Sequence, residues 1–559
     1  MRIAGVRISH FRGIESCEFT LGQEDSFLCL IGKGDSTKST ILTAIRWTIG
    51  PSRSLNVEDQ DFYRCDMSAS IMIEVAVRGL PDELLEVSKF GLFLTDEPAF
   101  CCSGDPVDGR PPCLTVRLAV SDDLDPVWEV YKGERVKRIG AGDRALLGMS
   151  SAFGAAGAPF AWSRGSDLRR LSANDKEVDA AVVDAVRRLN GVDGHPAIDC
   201  SLAELNDDLE ELGVLLEDGK LSARMLVHRA KLGVPLALFD GSVPVELKGS
   251  GTRTLVGAAI GMGMTESGAI LVIDEIETGL EPHRLRGLLR RLRLNAEAEG
   301  GQVILTTHSP VTITELDEFE VAAVHSTGGT TAVQKMAARP EGDELVRKKL
   351  KSCAEAFLAR SVVVCEGKTE LGIVRALDEA GLVSLALKGA APVDAGGGAE
   401  MFRLARLLND CGYRTCIFMD SDEGKYAGEK NAVKAEGIQV FDWDDGMSTE
   451  LQVFCDVPDE TVEELVAIAV EEWGEDRVRN GLKHNGETFG GAMDIPASLT
   501  AAVRHNIGMA AQGTGGKPWF KRIDLGEKLG RAVARVMGDI AETRTGRTLG
   551  GLAQWVGEA

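Results

Sequence analysis

The sequence predicts a multidomain α/β fold, and three observations carry that expectation. The 559 residues exceed what a single hydrophobic core usually serves. Four short apolar runs, residues 269–273, 302–306, 361–365 and 416–419, have the character of strands buried on both faces of a parallel sheet. Each run ends in polar or acidic residues and is followed by helix-forming sequence, the alternation expected of βαβ units.

The N-terminal part is organised around residues 31–40, IGKGDSTKST, which follow an apolar run and precede a helix-like stretch. That is the context a phosphate-binding loop needs. Gly32 and Gly34 let backbone N–H groups turn toward an anion, Lys38 adds a point charge, and Ser39, followed by Thr40, offers a hydroxyl to Mg²⁺. Thr37 stands where a phosphate loop has its last glycine, and a β-branched residue resists positive φ there. With Asp35 in the same loop, weakened nucleotide affinity is expected.

Around this loop, strands are expected at residues 2–8, 71–77, 114–120 and 128–131. From about residue 167 to 235 the period becomes helical, and Leu202, Leu205, Leu209, Leu212 and Leu215 share one face. A helical arm fits that stripe, packing either on its own body or on a second subunit. Beyond it the apolar run 269–273 ends in Asp274-Glu275, where an aspartate can hold Mg²⁺ through water and a glutamate can orient or deprotonate an attacking water. The run 302–306 ends in Thr307-His308, also at the strand edge where open α/β sheets bind ligands.

Residues 337–351 read as a polar linker. The run 361–365 then ends in Glu366-Gly367-Lys368-Thr369-Glu370, and a helix starting near Lys368 returns Glu370 toward Glu366. The run 416–419 ends in Asp420-Ser421-Asp422, whose two carboxylates face one way if the chain is extended. Both acidic pairs follow successive βαβ strands, so their repulsion calls for protons or divalent cations.

Composition bounds the function. Hydrophobic content of 44% and charged content of 26% are those of a globular protein. No run is long enough to span a bilayer and the N-terminus has no signal-peptide pattern, so a cytoplasmic location and no membrane partner are expected. The twelve cysteines lack paired zinc spacing, Cys101-Cys102 and Cys411/Cys416 included, and buried free thiols are expected. A net charge of −24 argues against non-specific coating of nucleic acid, so any DNA contact is local or metal-mediated. One segment, residues 508–550, carries eight basic residues against four acids.

Taken in order, Lys38-Ser39, residues 249–253 (GSGTR), Asp274-Glu275 and His308 resemble the ABC-type ATPase head. The resemblance places Ser250 and Gly251 in the signature loop, which in that family completes the nucleotide site of another head. Dimerisation through ATP is what it implies. Gln60 is the one candidate for a Q-loop glutamine. Glu366, Glu370, Asp420 and Asp422 resemble the acidic set of a Toprim domain, which holds Mg²⁺ for phosphodiester chemistry. An ATPase head, a helical arm and a Toprim unit in that order resemble the overcoming-lysogenisation-defect (OLD) family of ATP-dependent nucleases. That family includes the nuclease subunit of Gabija-type phage-defence systems.

The resemblance implies five parts: residues 1–166, an N-terminal head lobe; 167–235, a helical or dimerisation arm; 236–345, a second head lobe; 356–500, the Toprim unit; and 501–559, a basic segment completing its site. It implies ATP and two divalent ions, Mg²⁺ or Mn²⁺, as cofactors, with Ser39 and Asp274 as metal ligands in the head. In the Toprim unit Glu366, Glu370, Asp420 and Asp422 become metal ligands, with Glu450 as a further carboxylate. DNA is the implied substrate, in a homodimer or homotetramer, with a UvrD-like helicase as a candidate partner. A transition-state lysine is expected near the C-terminus: Lys521, favoured because Trp519-Phe520 anchors it, with Lys517 and Lys483 as alternatives.

A rival reading is a DNA-repair ATPase clamp of the SMC kind whose second domain only binds, though a pure binder of phosphates has no use for so many acids. A topoisomerase needs a nucleophilic tyrosine, and none of Tyr63, Tyr131, Tyr413 and Tyr426 has a recognisable cleavage context. A primase would carry a zinc module. A head that binds nucleotide poorly and serves as an assembly platform is a further alternative.

Overall fold

The computed structural model describes residues 1–102, 104–150, 160–162, 168, 196–214, 216, 219–225, 236–265, 268–298, 300–337, 343–422, 424–489, 491, 494–496, 498–514 and 516–558. The chain forms two compact units, Met1–Lys351 and Ser352–Ala559. Among the described residues no helix is long and apolar enough to cross a membrane.

The first unit is built on an eleven-stranded sheet. Its strands are β1 (Arg2–Phe11), β2 (Ile14–Thr20), β3 (Phe27–Ile31), β4 (Ile71–Arg78), β5 (Cys113–Val120), β6 (Pro126–Lys132) and β7 (Arg135–Arg138) from the N-terminal lobe. Ala161–Trp162 (β8), Leu221–Met225 (β9), Leu236–Asp240 (β10) and Val243–Pro244 (β11) form a small separate sheet. Ile270–Ile273 (β12), Gln302–Thr306 (β13), Val321–Thr327 (β14) and Thr330–Lys335 (β15) complete the large one. Strands β12, β13, β3 and β14 run parallel side by side, and β3 is buried throughout, as its unbroken FLCLI sequence dictates. The far half, β2-β1-β4-β5-β6-β7, is antiparallel.

A row of alternating charge fixes the register of that antiparallel half. Glu18, Arg7, Glu74, Arg117, Glu129 and Arg138 sit opposite one another on six successive strands. Arg7 pairs with Glu18 at 2.7 Å, and the buried Glu74 lies 3.0 Å from Arg117. A one-residue slip would put every pair on the wrong face.

Helix α1 (Lys38–Ile49) buries Ile41, Leu42, Ile45 and Ile49 in the core formed with Ile8, Val75, Val116 and Ile304. Its C-terminal end is capped by the buried Arg144, which donates to Gly50 O (2.8 Å) and Ser52 O (2.7 Å) and stacks on Trp128. Helix α2 (Pro196–Glu211) buries Leu202, Leu205 and Leu209 and is tied to its own unit by Asp208, 2.9 Å from Arg291. The arm is therefore not wholly helical, since β9 lies within its expected span and pairs with β10. Leu215 of the expected stripe lies outside the described residues. Helices α3 (Ser250–Thr265) and α4 (Pro282–Ala298) follow β11 and β12.

The expected polar linker is in part a helix. Residues Glu344–Ser352 bury Leu345, Val346 and Leu350, and Arg347 pairs with the buried Glu318. The apolar residues recur at helical spacing, which the surrounding lysines mask in a composition count.

The second unit holds a four-stranded, all-parallel sheet of order β17-β16-β18-β19, with β16 Ser361–Cys365, β17 Ala390–Asp394, β18 Arg414–Phe418 and β19 Gln439–Phe441. Helix α5 (Lys368–Glu379) follows β16, α6 (Glu400–Asp410) follows β17, α7 (Thr449–Asp456) follows β19, and α8 (Ile523–Arg535) returns from the C-terminal part to pack on α5. Three glycines let α5 and α8 approach backbone to backbone. A Cβ at Gly372 would stand 2.5 Å from Ile523 O, one at Gly526 2.7 Å from Thr369 O, and one at Gly530 2.9 Å from Ile373 Cα. The C-terminal residues thus belong to the Toprim-like core itself, with Phe520, Leu525, Leu529 and Val533 buried beside Val363 and Phe418.

Of the cysteines, Cys29, Cys365 and Cys416 are buried free thiols as expected, whereas Cys65, Cys101, Cys102 and Cys200 are exposed.

Candidate functional site

The phosphate loop lies between β3 and α1. Gly32 is required there: its φ is +144°, and a Cβ would meet Val324 O at 2.5 Å. Gly34 is not, since a Cβ would meet nothing within 4 Å, and the left-handed turns fall instead on Asp35 (φ 59°) and Thr37 (φ 67°). Thr37 therefore takes the conformation it was expected to resist, with its hydroxyl donating to Ser36 O (2.6 Å) and lying 3.1 Å from Thr331 Oγ1. Local hydroxyl bonds offset a strain of about 1–2 kcal/mol.

Lys38 Nζ, buried, donates to Gly32 O (3.0 Å), Lys33 O (2.8 Å) and Ser36 Oγ (3.1 Å). Burial brings its ammonium down to about 8 against the attraction of Asp274. Ser39 Oγ donates to Asp274 Oδ1 at 3.0 Å, and Thr306 Oγ1 donates to the same oxygen at 2.6 Å. The fold places these groups together because β13 lies between β12, which carries Asp274, and β3, which carries the loop. Glu275, with φ 48°, is held by its N–H to Thr306 Oγ1 (2.9 Å). His308 follows at the end of β13, its N–H donating to Glu277 Oε1 at 2.6 Å. Thr40 is half-buried in the first turn of α1. Ser250 and Gly251 begin α3 and pack on Gly279. Gln60 is exposed and bonded to Glu58.

In the second unit the carboxylates converge. Glu366 follows β16 and Asp420 follows the adjacent β18, and Asp420 N–H donates to Glu366 Oε2 at 2.9 Å. Glu370, in the first turn of α5, accepts Gly367 N–H (3.0 Å) and Thr449 Oγ1 (2.6 Å). Thr449 also donates through its N–H to Asp420 Oδ1 at 2.7 Å, and its hydroxyl contacts that same oxygen. Trp443 Nε1 already donates to the Thr449 hydroxyl (2.8 Å). One hydroxyl proton cannot serve both Glu370 and Asp420, so the second contact needs a proton on a carboxyl.

The electrostatics agree. Burial, and then the charge of Asp420, push Glu366 and Glu450 up to about 7. Burial likewise raises Glu370 and Asp420. Glu450, 1% exposed, leaves Oε2 without a hydrogen-bond partner. Burial works to lower Lys521, but the attraction of Glu450, Asp420, Glu370 and Asp422 outweighs it and raises this ammonium. Lys521 is brought there by α5–α8 packing and by Thr369, whose hydroxyl donates to Phe520 O at 3.1 Å.

The structure also corrects the sequence expectations. Asp422 is exposed while Asp420 is buried, so the expected pair is uneven, although the charge of Asp422 still works to raise Asp420. Lys517 and Lys483 are exposed. The basic C-terminal residues are largely paired internally: Arg522 with Glu472 and Asp524, Arg531 with Glu379, Arg535 with Glu464, and Arg544 with Asp442. Charge counting along the chain misses acids contributed by other helices. Sequence reading also missed Thr306, Glu277 and Thr449; the serine-threonine-glutamate start of α7, with Ser448 as its N-cap, was the available signal for the last.

Buried carboxylates of raised affinity for protons, with an unpartnered oxygen among them, form a hard-oxygen donor set suited to divalent cations. Among the described residues no three His, Cys, Asp or Glu side chains surround one ion-sized point. Glu370 and Asp420 are instead gathered on Thr449.

A family model described as "AAA domain, putative AbiEii toxin, Type IV TA system" matches residues 212–314. A second, "Overcoming lysogenization defect protein-like, TOPRIM domain", matches residues 357–422, which hold Glu366, Glu370, Asp420 and Asp422. No curated protein matches the chain. Similar solved structures include an Smc head bound to the C-winged helix domain of ScpA, at 13% identity and TM-score 0.37 over 60% of this chain and 97% of that one. They also include the SMC head domain from Thermotoga maritima, at 14% and 0.31 over 60% and 100%. A third is the Smc head domain with a coiled coil and joint derived from Pyrococcus yayanosii, at 11% and 0.40 over 63% and 99%.

Proposed function

Taking the chain as an ATPase–Toprim protein of the OLD family, we propose that it is an ATP-regulated, divalent-metal-dependent DNA endonuclease or nickase. The observation that carries the reading is that Glu366 accepts the Asp420 N–H, Glu370 and Asp420 meet at Thr449, and Glu450, Asp420 and Glu370 all act on the Lys521 ammonium. A site that only bound DNA would repel the phosphate it faced.

In this reading Glu366, Glu370, Asp420 and Glu450 hold the cations, and Asp422 at the exposed rim assists. Divalent ions held there, two in this reading, would polarise the scissile phosphate and make a bound water more acidic. Thr449 keeps the Asp420 carboxylate oriented through its N–H and the Glu370 carboxylate through its hydroxyl. Lys521 offsets negative charge that builds on the phosphoryl oxygens. In the head, Lys38 and the loop amides bind the nucleotide phosphates, Ser39 and Asp274 hold its Mg²⁺, and Glu275 orients water. Ser250 and Gly251 complete the nucleotide site of a second copy, so that ATP drives dimerisation and gates cleavage.

The test is incubation of the purified chain with supercoiled plasmid in Mg²⁺ or Mn²⁺, beside Asp420→Asn and Lys38→Ala, with and without ATP. Metal-dependent nicking or linearisation that Asp420→Asn abolishes supports the reading, and cleavage unchanged in Asp420→Asn removes it. Cleavage indifferent both to ATP and to Lys38→Ala removes the gating. Phage DNA is the target class we propose from the likeness to Gabija-type nucleases, and plaque counts on cells carrying the wild type or Asp420→Asn test it.

A further inference from the structure

The segment after β12 does more than carry Asp274 and Glu275. Ile276 is buried and its N–H donates to Thr306 O at 3.2 Å, which turns the next residue, Glu277, toward the loop after β13. There both carboxylate oxygens are used. Thr307 Oγ1 donates to Oε2 and His308 N–H donates to Oε1, each at 2.6 Å. Charge-assisted bonds this short are the strong ones, and two of them fix a loop in orientation as well as position.

The same segment continues to the start of α3. Thr278 O accepts from Thr254 Oγ1 at 3.2 Å, and Gly279, with φ +76°, lies so close that a Cβ would stand 2.2 Å from Ser250 Oγ. On its other side, Thr306 joins Asp274, which joins Ser39 of the phosphate loop. Glu277 therefore stands between the residues that meet a nucleotide's phosphates and the turn that carries Ser250 and Gly251.

We propose that Glu277 is a positioning residue of the nucleotide site: its carboxylate sets His308 and couples that histidine to the Ser250–Gly251 turn. This rests on the ATPase reading of the head. Loss of the carboxylate frees the Thr307–His308 loop while leaving Lys38, Ser39 and the phosphate loop in place. The effect thus falls on turnover and not on nucleotide binding.

The experiment measures ATP hydrolysis and binding of a fluorescent ATP analogue by the full chain for wild type, Glu277→Ala, Glu277→Gln, His308→Ala and the Glu277→Ala/His308→Ala double variant. Glu277→Ala is expected to lower kcat about tenfold or more with the analogue's Kd within about threefold of wild type. Glu277→Gln recovers most of the rate, because its carboxamide oxygen accepts from His308 N–H and its NH₂ donates to Thr307 Oγ1. In the His308→Ala background Glu277→Ala costs little more, since both act through one group. If Glu277→Ala melts below the assay temperature, Thr307→Val replaces it, removing one donor at constant shape. Wild-type hydrolysis left intact by Glu277→Ala, a loss confined to Kd, or equal losses in both backgrounds each overturns the inference alone. A wild-type chain that hydrolyses no ATP takes the ATPase reading down with it.

Discussion

Asp420 N–H donates to Glu366 Oε2 at 2.9 Å, joining the ends of two neighbouring parallel strands. The bond holds one acid against the backbone of another. It thereby fixes the spacing of two carboxylates that would otherwise repel each other apart.

The lysine assignment follows from what surrounds each candidate. Lys521 feels Glu450, Asp420, Glu370 and Asp422, whereas Lys517 is exposed. Lys521→Met is expected to lower plasmid cleavage by about 10²-fold or more, as loss of a transition-state donor does. Lys517→Met should stay within about threefold of wild type. Equal losses in the two variants, read on one gel, would refute the assignment.

The acidic cluster is a source of instability when no cation is bound. Glu450→Gln removes a fully buried charge that Asp420 opposes, and should raise the metal-free melting temperature, by roughly 1–3 kcal/mol of stability. Mg²⁺ or Mn²⁺ should raise the melting temperature of the wild type and raise it less in Glu450→Gln. Calorimetry with and without chelator checks both. A Glu450→Gln chain that melts earlier than wild type in chelator contradicts the account.

Close approach of α5 and α8 places Lys521, so the glycines between them matter beyond stability. In Gly526→Ala the new Cβ meets Thr369 O at 2.7 Å, and the helices must part. The expected cost is about 1–3 kcal/mol. Cleavage measured well below the new melting temperature should fall further than unfolding explains. Gly538→Ala, whose Cβ meets nothing within 4 Å, is the control and should leave both unchanged.

Thr37 stores strain in the phosphate loop. Thr37→Val keeps the β-branch at φ 67° and loses the bond to Ser36 O, so it should destabilise the first unit by about 1 kcal/mol or more. Thr37→Gly relieves the strain and should melt at least as high as Thr37→Val by several degrees. Thermal melts of the two variants that coincide with wild type would remove the strain argument.

The sequence by itself determined the strands that carry the chemistry. Gln302–Thr306 and Ser361–Cys365 appear at the expected residues, because a short apolar run closed by polar or charged residues has few ways to satisfy both burial and solvation. It also brought Glu366 and Asp420 to one sheet edge, since they follow adjacent parallel strands, whereas Glu450, in a helix, was named only by the family resemblance. Tertiary structure alone decided which residues hold those acids and which basic groups face them. Thr449, Thr306 and Glu277 act through contacts with distant parts of the chain, and apart from the N-cap serine beside Thr449 nothing in their neighbours along the sequence marks them. The C-terminal arginines looked free until Glu379, Glu464 and Glu472 were folded against them, because an ion pair is a property of distance in space and not of local charge count.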